Sequence, residues 1–414
     1  MTRGSAKGCA GQPPWRLDAV DLVLTAACNL RCVYCYQATK RPGRMRWPIA
    51  RAALGRLLES REGAGRLCLT GGEPLLAAPL VRRVVRHVRS RGPSTRRIGI
   101  SLLTNGTLLD ERMIRFLAAN DVAVQISMDG VAAAQALRGA WTFGALDALF
   151  GRLAARHPRW FRRRVSVAIT LTPAAVRHFA QSIEYLLSRG IREIGVAPAL
   201  GVSPTRRRRW LTELDRQFRR VLAASLAHAK RTGRVPLRLF RTPFAFRADP
   251  SDPMCGLADG FRVSVDVDGR VYGCPLAVPR FGSRISPILR RASAAMLMGR
   301  IEDPGLPEAL PAYGDALRAT GVFGPRGSMR SFRGLCRSCR YLDRCAICPL
   351  SIAYAPGARS PTRVPDFACA FSWAALRYRD RFSSEALRLV PAPLGSARRR
   401  ARPARQRRPR QRAA

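Results

Sequence analysis

Lysine, histidine and acidic residues are scarce in this chain. Its 414 residues include 73 Lys and Arg, 27 Asp and Glu and 4 His, for a net charge of +46. Only Lys7, Lys40 and Lys230 are lysines, so the positive charge is almost all arginine. No run of about 18 uncharged apolar residues occurs, which argues against a membrane-spanning helix. Met1 to Trp15 contains no apolar core segment, so no signal peptide is expected. Without a secretory signal, the 12 cysteines point to a reducing compartment, the cytoplasm, where metal ligation is favoured over disulfides. Apolar residues make up 47% of the chain, too many for disorder throughout, and its length allows a large core and two domains.

Clustered cations bind phosphates by releasing counterions, so the charge itself suggests nucleic acid. The arginines are spread along the chain, however, and an Arg- and Ala-rich composition also fits a GC-rich genome. Nucleic acid is therefore not an expected partner, and neither is a membrane. The exception is the C-terminal segment 391–414, where Arg398 to Arg412 carries nine Arg among Ala, Pro and Gln. That composition is too polar to pack and predicts a disordered tail.

Apolar β-type runs alternate with amphipathic stretches from about residue 18 to 200, the pattern of repeated βα units on a parallel sheet. Strands are predicted at Ala19–Thr25, Arg66–Thr70, Ile98–Thr104, Val122–Ser127, Val165–Thr170 and Glu193–Pro198. Helices are predicted at Pro48–Glu59, Pro79–Ser90, Asp110–Ala119, Phe143–Ala155 and Ala174–Ser188. Six strands in this span fit a partial (β/α)6 TIM-like barrel rather than a complete eight-fold one. The expected organisation is an extension at 1–18, a barrel at 19–203, a helical linker at 204–249 and a cysteine-rich domain at 250–378, followed by the tail. The last domain should open on a hairpin, Arg262–Tyr272, turned at Asp268-Gly269.

In such folds ligands bind at the C-terminal ends of the strands. Four consecutive strand ends carry candidates here: Cys28, Gly71-Gly72-Glu73-Pro74, Thr104-Asn105-Gly106 and Ser127-Met128-Asp129-Gly130. The run Cys28-Asn-Leu-Arg-Cys32-Val-Tyr-Cys35 supplies three soft thiolates, one fewer than an iron–sulfur cube needs. Such a site leaves one iron open to a ligand; three cysteines also fit a partial zinc site or buried thiols. Farther on, Cys255 and Cys274 flank the hairpin, and Cys336, Cys339, Cys345, Cys348 and Cys369 follow. Two Cys-x2-Cys knuckles suit either zinc or iron–sulfur clusters. Cys9 matches no pattern, and Cys68 is expected in the core of a strand.

The Cys28/Cys32/Cys35 run, the Gly71-Gly72-Glu73-Pro74 turn and the Ser127/Asp129 pair together resemble the radical S-adenosylmethionine (SAM) superfamily. The resemblance implies a [4Fe–4S] cluster on the three cysteines, with the amino and carboxylate groups of SAM on the open iron. An electron from that cluster would cleave SAM to methionine and a 5′-deoxyadenosyl radical. It also implies that Gly71, Gly72, Glu73 and Pro74 lie at the SAM amino group and Ser127 and Asp129 at the ribose hydroxyls. Arg138 would pair with the SAM carboxylate, Tyr34 would flank the adenine, and Asn105 would lie nearby. Asn105 is equally explained by an Asn-Gly turn.

The downstream cysteines resemble the SPASM extension of the same superfamily, which binds two auxiliary [4Fe–4S] clusters. Cys255, Cys274 and Cys348 would hold the first cluster, and Cys336, Cys339, Cys345 and Cys369 the second. Two residues rather than three separate Cys345 and Cys348, and no cysteine supplies a fourth ligand to the first cluster. SPASM enzymes imply a precursor peptide or protein substrate and a low-potential flavodoxin- or ferredoxin-type electron donor. The short N-terminal extension leaves leader recognition to a separate leader-binding protein or to 279–333.

The expected function is oxidative modification, in particular crosslinking, of a ribosomally made peptide. Sulfatase-maturase-like formylglycine formation ranks lower, because those enzymes carry an acidic residue where this chain has Pro275. RNA modification and a non-catalytic iron–sulfur or zinc scaffold are the remaining alternatives. No residue stands out as the catalytic base.

Overall fold

The structure is a computed structural model. It describes residues 17–37, 43–60, 65–92, 97–201, 207–241, 262–278, 286–306, 313, 338–345, 347–354 and 364–389. Cys9, Cys255, Cys336 and the segment 391–414 lie outside the described residues, as does most of 279–333.

Six parallel strands form as the alternation predicts: β1 (Ala19–Thr25), β2 (Gly65–Gly71), β3 (Ile98–Thr104), β4 (Ala123–Ser127), β5 (Val165–Leu171) and β6 (Ile194–Pro198). Between them run α1 (Trp47–Ser60), α2 (Ala78–Arg89), α3 (Glu111–Ala119), α4 (Ala132–Gln135), α5 (Thr142–Arg156), α6 (Pro158–Arg164) and α7 (Phe179–Ser188). This is the open, partial barrel expected from the sequence. β1 is buried at all seven positions, as a central parallel strand covered on both faces should be. β5 alternates buried and half-buried residues, turning Ala168 and Thr170 towards a cavity at the barrel mouth. In α2, Val81, Val84, Val85 and Val88 form one buried stripe at helical spacing against the sheet. α4 and the short α6 have no counterpart among the predicted helices. α6 is too short and too rich in Arg for its periodicity to register, and Trp160 anchors it by donating to the Val122 carbonyl at 3.1 Å.

The hairpin forms as predicted from β7 (Arg262–Val265) and β8 (Arg270–Tyr272). Gly269 adopts φ +89° in its turn, a conformation that favours glycine. Less expected is its placement. β7 pairs in parallel with β1, and β8 pairs with β9 (Leu297–Arg300), giving one nine-stranded sheet of order β6-β5-β4-β3-β2-β1-β7-β8-β9. The cysteine-rich region is thus joined to the barrel by backbone hydrogen bonds. Arg262 reinforces the seam through a bidentate pair with the buried Asp21 of β1.

The helix α8 (Arg207–Thr232) forms where the linker was predicted, with α9 (Pro287–Ala295) and α10 (Pro349–Ala353) farther on. The final helix α11 (Asp366–Leu389) runs past the boundary at 378 suggested by the cysteine pattern. It packs along α8 through aromatic contacts: Phe218 stacks on Tyr378 at 5.8 Å and Trp210 meets Phe367 at 5.3 Å; beyond α8, Phe240 stacks on Phe382 at 5.1 Å. Tyr378 also donates to Asp215 of α8 at 3.0 Å. Among the described residues, no helix is long and apolar enough to cross a membrane.

Candidate active site

The loop after β1 carries Cys28, Cys32 and Cys35, all partly exposed. It is held from below by the Gly-Gly-Glu-Pro turn. Gly72 N donates to the Thr25 carbonyl and Glu73 N to the Ala27 carbonyl, both at 2.8 Å. A Cβ on Gly72 would lie 2.2 Å from the Ala27 oxygen, so only glycine allows the two backbones this close. Gln37 closes the other end of the loop by donating to the Gly71 carbonyl at 2.9 Å.

Glu73 is fully buried and accepts from three donors: Leu75 N at 3.0 Å, the Thr104 hydroxyl at 2.7 Å and Asn105 N at 2.7 Å. Its carboxylate fastens the end of β2 to the end of β3. The Asn105 amide then donates to Asn29 at 2.8 Å and points to Cys28 Sγ at 4.0 Å. Leu30 N also donates to Cys28 Sγ, at 3.4 Å. Two N–H groups aimed at one sulfur suit a thiolate bound in a cluster, where such bonds tune the reduction potential.

A second group gathers at the ends of β4 and β5. Asp129, 2% exposed, accepts from Arg138 at 3.0 and 3.1 Å, from Thr170 N at 2.9 Å and from the Tyr34 hydroxyl. Arg138 also lies over the Tyr34 ring and reaches the Thr170 hydroxyl at 3.3 Å. Burial opposes the charge on Arg138, but Asp129 outweighs it and raises the guanidinium above its usual range. Burial likewise raises the Tyr34 phenol, which stays protonated and donates. Three residues singled out from the sequence, Tyr34, Asp129 and Arg138, therefore form one network, with Ser127 beside it on the cavity wall. Gln135 and Thr170 belong to the network and were missed. Gln135 accepts from Asp129 N at 2.8 Å, and Thr170 stands at the C-terminal end of β5, where the strand-end rule would have found it.

Above these groups lies a cavity of about 630 Å³. Its floor includes Cys32, Tyr34, Cys35, Ser127 and Arg138; its roof includes Leu276, Cys348 and one face of α11. Tyr36 packs edge-on against Tyr354 at 5.9 Å, and Tyr354 donates to the Leu276 carbonyl, two residues beyond Cys274. The two tyrosines thus stand between the N-terminal cysteine loop and the hairpin end. Cys339 and Cys345 flank a single 3-10 turn, Leu342–Arg344, and Cys369 lies in the first turns of α11. Cys68 is partly exposed rather than fully buried, on β2 in register with Asp21 and Ser101.

Residues 22–147 match the model of the radical SAM superfamily. The chain carries a radical SAM domain. Enzymes of this family use SAM and a [4Fe–4S] cluster as cofactors.

An uncharacterized protein of Methanocaldococcus jannaschii is 26% identical over 259 residues, 61% of this chain and 83% of that protein. The cysteine-type anaerobic sulfatase-maturating enzyme of Clostridium perfringens is 34% identical over 114 residues; this is 26% of the radical SAM chain and only 31% of the maturase. GTP 3′,8-cyclase of Xanthomonas axonopodis pv. citri is 25% identical over 303 residues, 68% of this chain and 86% of the cyclase. In fold, the chain is similar to native anSMEcpe with bound AdoMet and Kp18Cys peptide, with TM-score 0.67, 19% identity and coverage of 89% and 99% of the two chains. It is also similar to Streptococcus suis SuiB bound to precursor peptide SuiA, with TM-score 0.53, 14% identity and coverage of 86% and 76%.

The residues present fit the cofactors. Three partly exposed thiols share one loop at the barrel mouth, two of them on the cavity wall, with N–H donors on the third. Among the described residues, no three His, Cys, Asp or Glu converge tightly enough for a single metal ion.

Proposed function

We propose that this radical SAM enzyme oxidatively modifies, and most specifically crosslinks, a ribosomally made peptide in the cytoplasm. The observation that carries the reading is the shared cavity. Cys32 and Cys35 of the N-terminal set and Cys348 of the C-terminal set line one chamber at the barrel mouth. A substrate held there would meet both sets of cysteines.

In this reading Cys28, Cys32 and Cys35 hold the SAM-binding cluster. Cys274 and Cys348, with Cys255, serve a first auxiliary cluster; Cys339, Cys345 and Cys369, with Cys336, serve a second. When bound, SAM and its cluster supply a carbon radical able to remove hydrogen from an unactivated C–H bond. The chain's own task is to position and to exclude water. The Tyr34–Asp129–Arg138 network fixes one wall of the chamber, because each member is held by at least one other. Glu73 and Asn105 act by positioning the cysteine loop, since both Glu73 oxygens are already engaged by donors of the chain. Asp129 is similarly engaged, so an approaching ribose would have to share donors with it. The electron source would be a flavodoxin or ferredoxin type protein, and the leader would be bound by a separate protein or by 279–333.

Formylglycine formation is the second reading, favoured by the sulfatase-maturating relative. The chain aligns with only a third of that enzyme, and no Asp, Glu or His is among the described residues lining the chamber. Co-expression with a precursor peptide encoded beside the gene tests the proposal. A product lighter by two hydrogen atoms, carrying a new bond between side chains, is expected. A Cys or Ser converted to formylglycine would replace the crosslinking reading with the second.

A further inference from the structure

Among the described residues, five arginines line the chamber: Arg138, Arg238, Arg241, Arg344 and Arg379. Three carboxylates pair four of them. Asp129 takes Arg138, Glu193 takes both Arg238 at 2.7 Å and Arg241 at 3.1 Å, and Asp380 takes Arg344 through two bonds of 2.8 Å. Arg379 makes no hydrogen bond or ion pair among the described residues, although it is half-buried. It projects from the face of α11 that also presents Phe371, Ser372 and Ala375 to the chamber, at helical spacing. Burial, and then the like charge of Arg344, depress its pKa, and the carboxylate of Asp380 offsets them only in part.

We propose that Arg379 anchors a carboxylate of the substrate, an aspartate or glutamate side chain of the modified peptide, in the chamber above Cys32 and Cys35. The inference rests on the peptide reading above and adds to it the chemistry of the recognised residue. A guanidinium binds a carboxylate through two parallel hydrogen bonds, which fixes orientation as well as position. The surroundings favour a side chain over a highly charged ligand. Ile347, Phe371, Leu376, Leu239 and Val196 make much of the remaining wall apolar. Four of the five cations already have partners, so a nucleoside triphosphate would find too few free charges.

The test uses the full-length, anaerobically reconstituted protein. Phenylglyoxal modification of Arg379 is followed by peptide mass spectrometry in the presence of N-acetylglutamic acid α-amide, N-acetylglutamine α-amide or GTP. Selective slowing of the Arg379 reaction by the glutamate compound is expected. Equal protection by the glutamine compound, no protection, or protection by GTP alone overturns the anchor.

A second arm selects random peptides displayed on mRNA against the wild-type protein and Arg379→Gln. Wild type should enrich Asp or Glu, and the variant should bind those peptides roughly tenfold more weakly. Peptides selected without acidic bias overturn the anchor and leave the peptide reading intact. Failure to select any peptide, with glutamate protection retained, overturns the peptide reading and, with it, the assignment of the carboxylate to a peptide side chain, and leaves only a carboxylate site at Arg379.

Discussion

The Asp129–Arg138 pair should behave as a buried ion pair whose halves cannot be removed singly. Their side chains are 1% and 9% exposed, so neither charge is relieved by water. Asp129→Asn keeps the shape but removes the charge. It leaves the Arg138 guanidinium facing an uncharged amide, while Thr170 N and Tyr34 lose a charged acceptor. Breaking a buried pair on one side costs about 3–5 kcal/mol. Arg138→Met alone should cost less, because Thr170 N and the Tyr34 hydroxyl still hold the carboxylate. The double variant Asp129→Asn/Arg138→Met removes both charges and fills the space with an apolar chain. It should recover much of the loss, with a coupling energy of roughly 1–3 kcal/mol. Urea denaturation of the four proteins, followed by tryptophan fluorescence, measures the cycle. Single effects that add to within about 0.5 kcal/mol would refute the reasoning. So would a loss below about 1 kcal/mol for Asp129→Asn, the behaviour of an exposed pair.

Gly72→Ala should displace the cysteine loop, because the new Cβ would fall 2.2 Å from the Ala27 oxygen. Reduced iron incorporation on reconstitution is the readout, and wild-type iron content would contradict the tight packing. Asn105→Ala removes an N–H aimed at Cys28 Sγ and should lower the reduction potential of the cluster, measured by EPR-monitored titration. An unchanged potential would mean that the contact has no electronic role. Partial burial on β2, followed by the neighbouring Asp21, pushes the Cys68 thiol up to about 12, so the folded state keeps a proton that the unfolded chain loses. Stability of the metal-free protein should therefore fall as pH rises from about 8.5 towards 12, and Cys68→Ala should flatten that slope. Equal slopes in the two proteins would show that the thiol is not perturbed.

The barrel was legible because its signals are local. Period-two strands alternate with helical stripes such as Val81/Val84/Val85/Val88, and turn residues mark the strand ends. The grouping of the candidate residues was legible for the same reason, since groups placed at four strand ends come to one end of the sheet once it forms. What escaped was set by tertiary contact. Nothing local in Arg262–Val265 shows that it will pair with β1, because that register depends on a partner more than 200 residues away. The extent of α11 was obscured because cysteine spacing, rather than apolar periodicity, set the boundary at 378. The positioning roles of Glu73 and Gln135 follow only from which donors surround them, which spacing does not record.

The most direct test of the central claim is production of 5′-deoxyadenosine from SAM by the anaerobically reconstituted full-length protein with a low-potential reductant. The wild-type protein should form it and Cys32→Ala should not. A wild-type protein that forms none, or a Cys32→Ala variant that forms as much, would contradict the assignment of Cys28, Cys32 and Cys35 to the SAM-cleaving cluster.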